Sequence, residues 1–156
     1  MVFILDTNSI RVIGNFYPER FPSFWDKFNG LVGEGRILSV REVYRELDHQ
    51  VVKPSLREWV ESHKNIFLIP TQAETEFVGQ FFLIPHFQTL IQQRNQLTGS
   101  PVADPFVIAS AYIKGGCVVS EESFKENSAK IPNICAHFGV NCTNIEGLME
   151  REKWEF

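Results

Sequence analysis

The first polar break in the chain falls at Asp6, directly after the uninterrupted apolar run Val2-Phe3-Ile4-Leu5. A run that is apolar at successive positions buries both faces of a strand, the pattern of a parallel sheet covered on both sides. Arg36-Ile37-Leu38-Ser39, Ile66-Phe67-Leu68-Ile69-Pro70 and Cys117-Val118-Val119-Ser120 read as further short strands, and residues 140–143 add an edge-strand candidate. Between these runs the period lengthens. Phe24, Phe28 and Leu31 sit at helical spacing, and that helix closes near Gly33 or Gly35. Val40, Val43, Tyr44 and Leu47 fall at i, i+3, i+4 and i+7, with Ser39 and Glu42 forming an S-x-x-E capping box at the start. Residues 54–65 predict another helix. Residues 71–97 are helical in pattern with a break at Pro85, and 98–101 form a loop.

Asp104-Pro105 opens the clearest helix, with aspartate at the N-cap and proline at the first helical position. Phe106, Ile108, Ala109, Ala111 and Tyr112 pack it, and Gly115-Gly116 ends it. A short helix from Ile131 and a last one over 145–153 complete the chain. Apolar strands alternating with helices predict one α/β domain over 1–156, built on a central, mostly parallel sheet with right-handed crossovers.

Composition sharpens this only a little. The 156 residues are 44% hydrophobic and 22% charged, and the 14 phenylalanines predict an aromatic-rich core. A net charge of −4 without a basic stripe argues against a module that grips nucleic acid by broad phosphate neutralisation. Any nucleic-acid phosphate must then be met by metal ions in an acidic site or by local arginines; Arg41 and Arg45 are candidates, set against plain solvation of a helix face. The N-terminus lacks a basic leader pattern and no run approaches the ~20 apolar residues of a membrane span, so the expectation is cytoplasmic. Cys117, Cys135 and Cys142 contain no C-x-x-C pair; zinc on Cys135, His137 and Cys142 fits no common spacing, and free thiols are the simpler reading.

Four carboxylates stand out by position. Asp6 follows the first strand, Glu46 lies on the helix after the second, Asp104 begins the central helix, and Glu122 follows the last clear strand. The carboxyl edge of a parallel sheet is where ligands bind. Like charges gathered there destabilise the fold unless compensated, and Mg2+ or Mn2+ is the matching compensation, because hard cations take oxygen ligands. Such ions polarise a phosphoryl oxygen and acidify water, the requirements of phosphodiester hydrolysis.

At these residues the chain resembles the PIN-domain family. Asp6-Thr7-Asn8 after the first strand is similar to the family's opening motif, and Glu46-Leu47 to its helical glutamate. Asp104 before Ile108-Ala109, and Val118-Val119-Ser120-Glu121-Glu122, resemble its two closing segments. The resemblance spans the whole chain and implies a three-layer α/β/α fold and a metal-dependent endoribonuclease. Many family members are toxins of toxin–antitoxin modules, so it also implies RNA as substrate, an antitoxin protein as inhibitor, and a homodimer. It makes Asp6, Asp104 and Glu122 metal ligands, with Glu46 as the fourth catalytic acid. Thr7, Asn8, Ser120 and Glu121 play supporting parts. Many members carry aspartate where this chain has Glu122; glutamate reaches one methylene further, and Glu121 competes for the role.

Each position also has a plainer reading. Asp6 caps the turn after its strand, Asp104 caps its helix, and Glu46 pairs with a nearby arginine. A phosphoaspartyl phosphatase is disfavoured because Asn8 stands where its second aspartate belongs. Two other functions stay open: a degenerate PIN-like module that binds RNA or protein without cutting, and a metal-dependent phosphatase or DNA-directed nuclease.

Overall fold

The computed structural model describes residues 1–88 and 102–156. Five strands, β1 (Phe3–Leu5), β2 (Ile37–Val40), β3 (Phe67–Leu68), β4 (Cys117–Val119) and β5 (Asn141–Thr143), form one sheet in the order β3-β2-β1-β4-β5. All four pairings are parallel, with Phe3 opposite both Ile37 and Cys117. The central strands β1 and β4 are buried at every position, as their unbroken apolar runs require. The edge strand β5 is exposed or half-buried throughout, which is why only a polar Asn-Cys-Thr sequence occupies it.

The α-helices with both ends among the described residues are α1 (Thr7–Ile13), α2 (Pro22–Gly33), α3 (Arg41–Asp48), α4 (Pro54–Ser62), α5 (Gln72–Phe81), α6 (Asp104–Lys114), α7 (Ile131–Phe138) and α8 (Ile145–Arg151). Together they make an α/β fold with an all-parallel central sheet flanked by helices. Aromatic side chains fill it in two clusters that share no residue. Phe16, Phe24, Trp25, Phe28 and Trp59 meet in one, and Phe77, Phe81, Phe87, Tyr112 and Phe138 in the other. No helix among the described residues is long and apolar enough to cross a membrane.

Three points of the expected fold are corrected. Residues 7–13 form α1, which has no predicted counterpart. The S-x-x-E box at Ser39 and Glu42 does not form: Val40 is the N-cap of α3, and the Ser39 hydroxyl instead donates to Leu5 O at 2.7 Å, linking β2 to β1. Among the described residues a capping box does form at Thr71 with Glu74, opening α5. Asp104 is the first residue of α6 rather than its N-cap, a place taken by Ala103, whose side chain cannot cap. The helical expectation over 71–97 holds for α5, and its part beyond 88, with the 98–101 loop, lies outside the described residues.

Gly115 ends α6 in the left-handed region at φ 64°, where glycine carries no Cβ penalty. Gly116 has a different task. A Cβ there would stand 2.8 Å from Val2 O, so only glycine lets the chain enter β4 against the start of β1.

Candidate active site at the carboxyl edge of the sheet

Every strand of a parallel sheet delivers its carboxyl end to the same edge, and here that edge collects hydroxyls and carboxylates. Asp6, the residue after β1, is buried at 3% exposure. Its backbone N–H donates to Val119 O at 3.0 Å, fixing it beside the end of β4. One carboxylate oxygen accepts from Ser9 N at 2.7 Å, which makes Asp6 the N-cap of α1. The Ser9 hydroxyl lies 2.8 Å from that same oxygen and 2.9 Å from Val119 O, so its single proton serves one of them at a time. The capping reading of Asp6 is therefore correct for one of its two oxygens.

Ser120 also hydrogen-bonds Asp6, and its hydroxyl accepts from Glu122 N at 3.2 Å. Burial pushes the Asp6 carboxyl above the usual carboxylate range. Hydrogen bonds from Ser120 and Ser9 pull it back, and the negative charge of Glu122 pushes it up further. Glu122 is thus electrically part of the Asp6 site. It has a structural duty as well, since Oε2 accepts from Ile131 N at 2.8 Å at the start of α7. Glu121 turns to the neighbouring helix, where Oε1 accepts from Ile145 N at 2.8 Å.

A second group forms around Glu46 on α3. Thr7 Oγ1 donates to Glu46 Oε2 at 2.5 Å, and Glu46 Oε1 accepts from Ala103 N at 2.9 Å. This half-buried glutamate therefore joins the start of α1 to the start of α6, one residue before the half-buried Asp104. The arginine-pair reading of Glu46 gives way to these two contacts. Thr7, Ser120 and Glu122 are drawn in with Asp6 and Glu46, whereas Asn8 is exposed on the first turn of α1.

Ser9 and Glu42 escaped the sequence reading. Ser9 is fully buried, and its signal was the D-x-x-S spacing that places it at the third position of a capped helix. Glu42 had been explained by the box that does not form. It is 5% exposed, pairs with Arg41 at 2.9 Å, and its Oε2 finds no hydrogen-bond partner among the described residues. Arg41 is thereby occupied by a protein carboxylate.

The donor chemistry suits a hard divalent cation. Asp6 is a buried carboxylate whose charged neighbour is another carboxylate. No three His, Cys, Asp or Glu side chains among the described residues stand close enough to form a finished cage, the set Asp6, Asp104 and Glu122 included. Magnesium does not need one, because it keeps several waters and binds through one or two carboxylates. The Cys135, His137 and Cys142 zinc expectation gains nothing from this geometry. All three cysteines are free; the Cys135 and Cys142 thiols hydrogen-bond each other, while His137 is exposed.

Fold and edge together define an α/β protein with a buried acidic centre at the carboxyl ends of its two middle strands. The chain belongs to the family described as a domain of unknown function (DUF4411), whose model matches residues 3–156. No curated protein matches it.

Proposed function

We propose that the chain is a PIN-like, Mg2+- or Mn2+-dependent endoribonuclease, with Asp6 and Glu122 as its metal-holding pair. The observation that carries this is the state of Asp6, a carboxylate buried at the carboxyl end of the central strand and opposed by the charge of Glu122. An arrangement of that kind costs stability and is expected where a cation supplies the compensation. The parallel sheet and the order of the four acidic positions along the chain agree with the PIN resemblance.

In this reading Asp6 and Glu122 hold the ion and Ser120 fixes both, through the Asp6 carboxylate and the Glu122 backbone. Glu46 orients Thr7 and the entrance to α6, and so sets where Asp104 stands. A divalent ion held there supplies Lewis acidity toward the phosphodiester and toward the attacking water. The remaining task of the protein is to position a phosphate at this edge.

A specific observation favours a second reading, an RNA-binding module without hydrolysis. Both oxygens of Glu46 and one each of Glu121 and Glu122 are committed to hydrogen bonds that hold the fold. An inhibitory partner protein and a homodimer remain part of the proposal. Exposed Phe82 and Leu83, just after α5, offer apolar surface for either.

The deciding experiment is incubation of a mixed cellular RNA pool with the chain in manganese, beside Asp6→Asn. Discrete fragments that vanish with EDTA and in the variant are expected. Cleavage that persists unchanged in Asp6→Asn would remove the site, and intact RNA in every lane would favour the binding module.

A further inference from the structure

Ser120 and Glu122 line an open cavity of about 300 Å³ together with Phe124, Pro132 and Asn144. Phe124 also borders a wider groove of about 580 Å³, whose walls include His86, Phe87, Asn127 and His137. The two spaces meet at the Phe124 ring, so the groove leads away from the acidic centre. We infer that this groove binds unstacked bases of single-stranded RNA next to the cleaved phosphate, with Phe124 as the stacking platform; the inference rests on the nuclease reading.

Phe124 is 64% exposed, an unusual position for a large ring in a chain whose other aromatics mostly pack in clusters. Its loop is nonetheless held in place. The Asn133 side chain accepts from Lys125 N at 3.2 Å and from Ser128 Oγ at 3.1 Å, and donates to Lys125 O at 2.6 Å. A ring held out by a fixed loop is presented to the solvent, and a presented aromatic is what a base stacks on. Buried Phe87 forms the floor of the groove, with the exposed His137 ring edge-on to it at 5.4 Å and the exposed His86 ring at 5.9 Å.

Lys125 and Lys130 are exposed on the same loop, where each can meet a phosphate, although exposed Glu126 lies between them in sequence. Stacking platforms take splayed single-stranded bases, whereas the bases of a duplex already stack on one another.

The test is fluorescence anisotropy in EDTA, with a labelled mixed-sequence single-stranded RNA and an abasic ribose-phosphate strand of equal length. Phe124→Ala should weaken RNA binding by about fivefold to a hundredfold and leave the abasic strand unchanged. Replacing Lys125 and Lys130 by alanine should weaken both probes alike and flatten the salt dependence. Equal RNA affinity of wild type and Phe124→Ala overturns the inference, as does absence of RNA binding by the wild type. Loss of self-association in Phe124→Ala with RNA affinity intact also overturns it and assigns the groove to a second copy of the chain. Cleavage is read separately in manganese. Cleavage without a Phe124 effect keeps the nuclease and removes the groove; base-dependent binding without cleavage keeps the groove and removes the nuclease.

Discussion

Asp6 serves the fold with one oxygen and is destabilised by the ionisation of the whole group, and the two effects can be separated by substitution. Its carboxyl titrates above the ordinary value because burial disfavours the charge. A group whose pKa is raised on folding contributes stability that is complete below its unfolded pKa and is lost as pH rises through the folded one. Metal-free wild type should therefore weaken as pH climbs above the usual aspartate range. Asp6→Asn keeps an acceptor for Ser9 N and carries no charge, so its melting temperature should equal or exceed that of wild type near neutral pH. The gap should close toward acid, with roughly 2–4 °C for each kcal/mol relieved in a chain of this size. Thermal melts in EDTA across pH test this, and a variant less stable than wild type at every pH would contradict it. Glu122 permits a similar separation. Glu122→Gln keeps a carbonyl for Ile131 N and loses only the charge, while Glu122→Ala also loses the α7 cap, at about 1 kcal/mol. Equal loss of cleavage in both, with only the alanine variant less stable, is the expected pattern.

At the level of elements, the capping signals show how far local pattern reaches. Ser39-x-x-Glu42 and Thr71-x-x-Glu74 are chemically the same signature, yet only the second forms. Ser39 lies within β2 beside β1, and its hydroxyl takes the carbonyl of Leu5 as partner in place of an N–H one turn ahead. That competition is set by strand order and leaves no trace in the local spacing. The middle strands were legible because burial on both faces demands an unbroken apolar run. α1 was not legible because its seven residues follow a cap without a full apolar period. Asp6, Glu46, Asp104 and Glu122 were singled out by their places after strands and on helices, Ser9 had only its D-x-x-S spacing as a signal, and Glu42 required the tertiary contacts that bury it. Glu74 carries a further element-scale consequence. It is 1% exposed, closes the cap of α5 and pairs with Lys114 at the end of α6, fastening the two helices together. Lys114→Met would leave a buried carboxylate without its cation and should cost on the order of 3 kcal/mol, read by urea denaturation. A loss below about 0.5 kcal/mol, the size of an ordinary surface change, would show the pair to be incidental.

On the scale of the whole molecule, parallel topology forces the charge problem. With β1 and β4 adjacent, the residues after both strands must share one edge, and Asp6 and Glu122 arrive there together with hydroxyls from Thr7, Ser9 and Ser120. The same hydrogen bonds that tie these groups to α1, α3, α6 and α7 make the edge rigid, so a cation bound there is coupled to the stability of the entire sheet. Ligand that binds only the folded chain stabilises it by mass action, about 2.7 kcal/mol at a hundredfold excess over the dissociation constant. Saturating manganese should accordingly raise the melting temperature of the wild type by roughly 5–10 °C. In Asp6→Asn the rise should disappear even though the metal-free variant is no less stable. Calcium, which also takes oxygen ligands, should stabilise the wild type to some extent. A manganese shift of the same size in Asp6→Asn would place the ion elsewhere. A wild type indifferent to every divalent ion would leave the acidic edge as a structural junction, with the burial of Asp6 set against its cap to α1 alone.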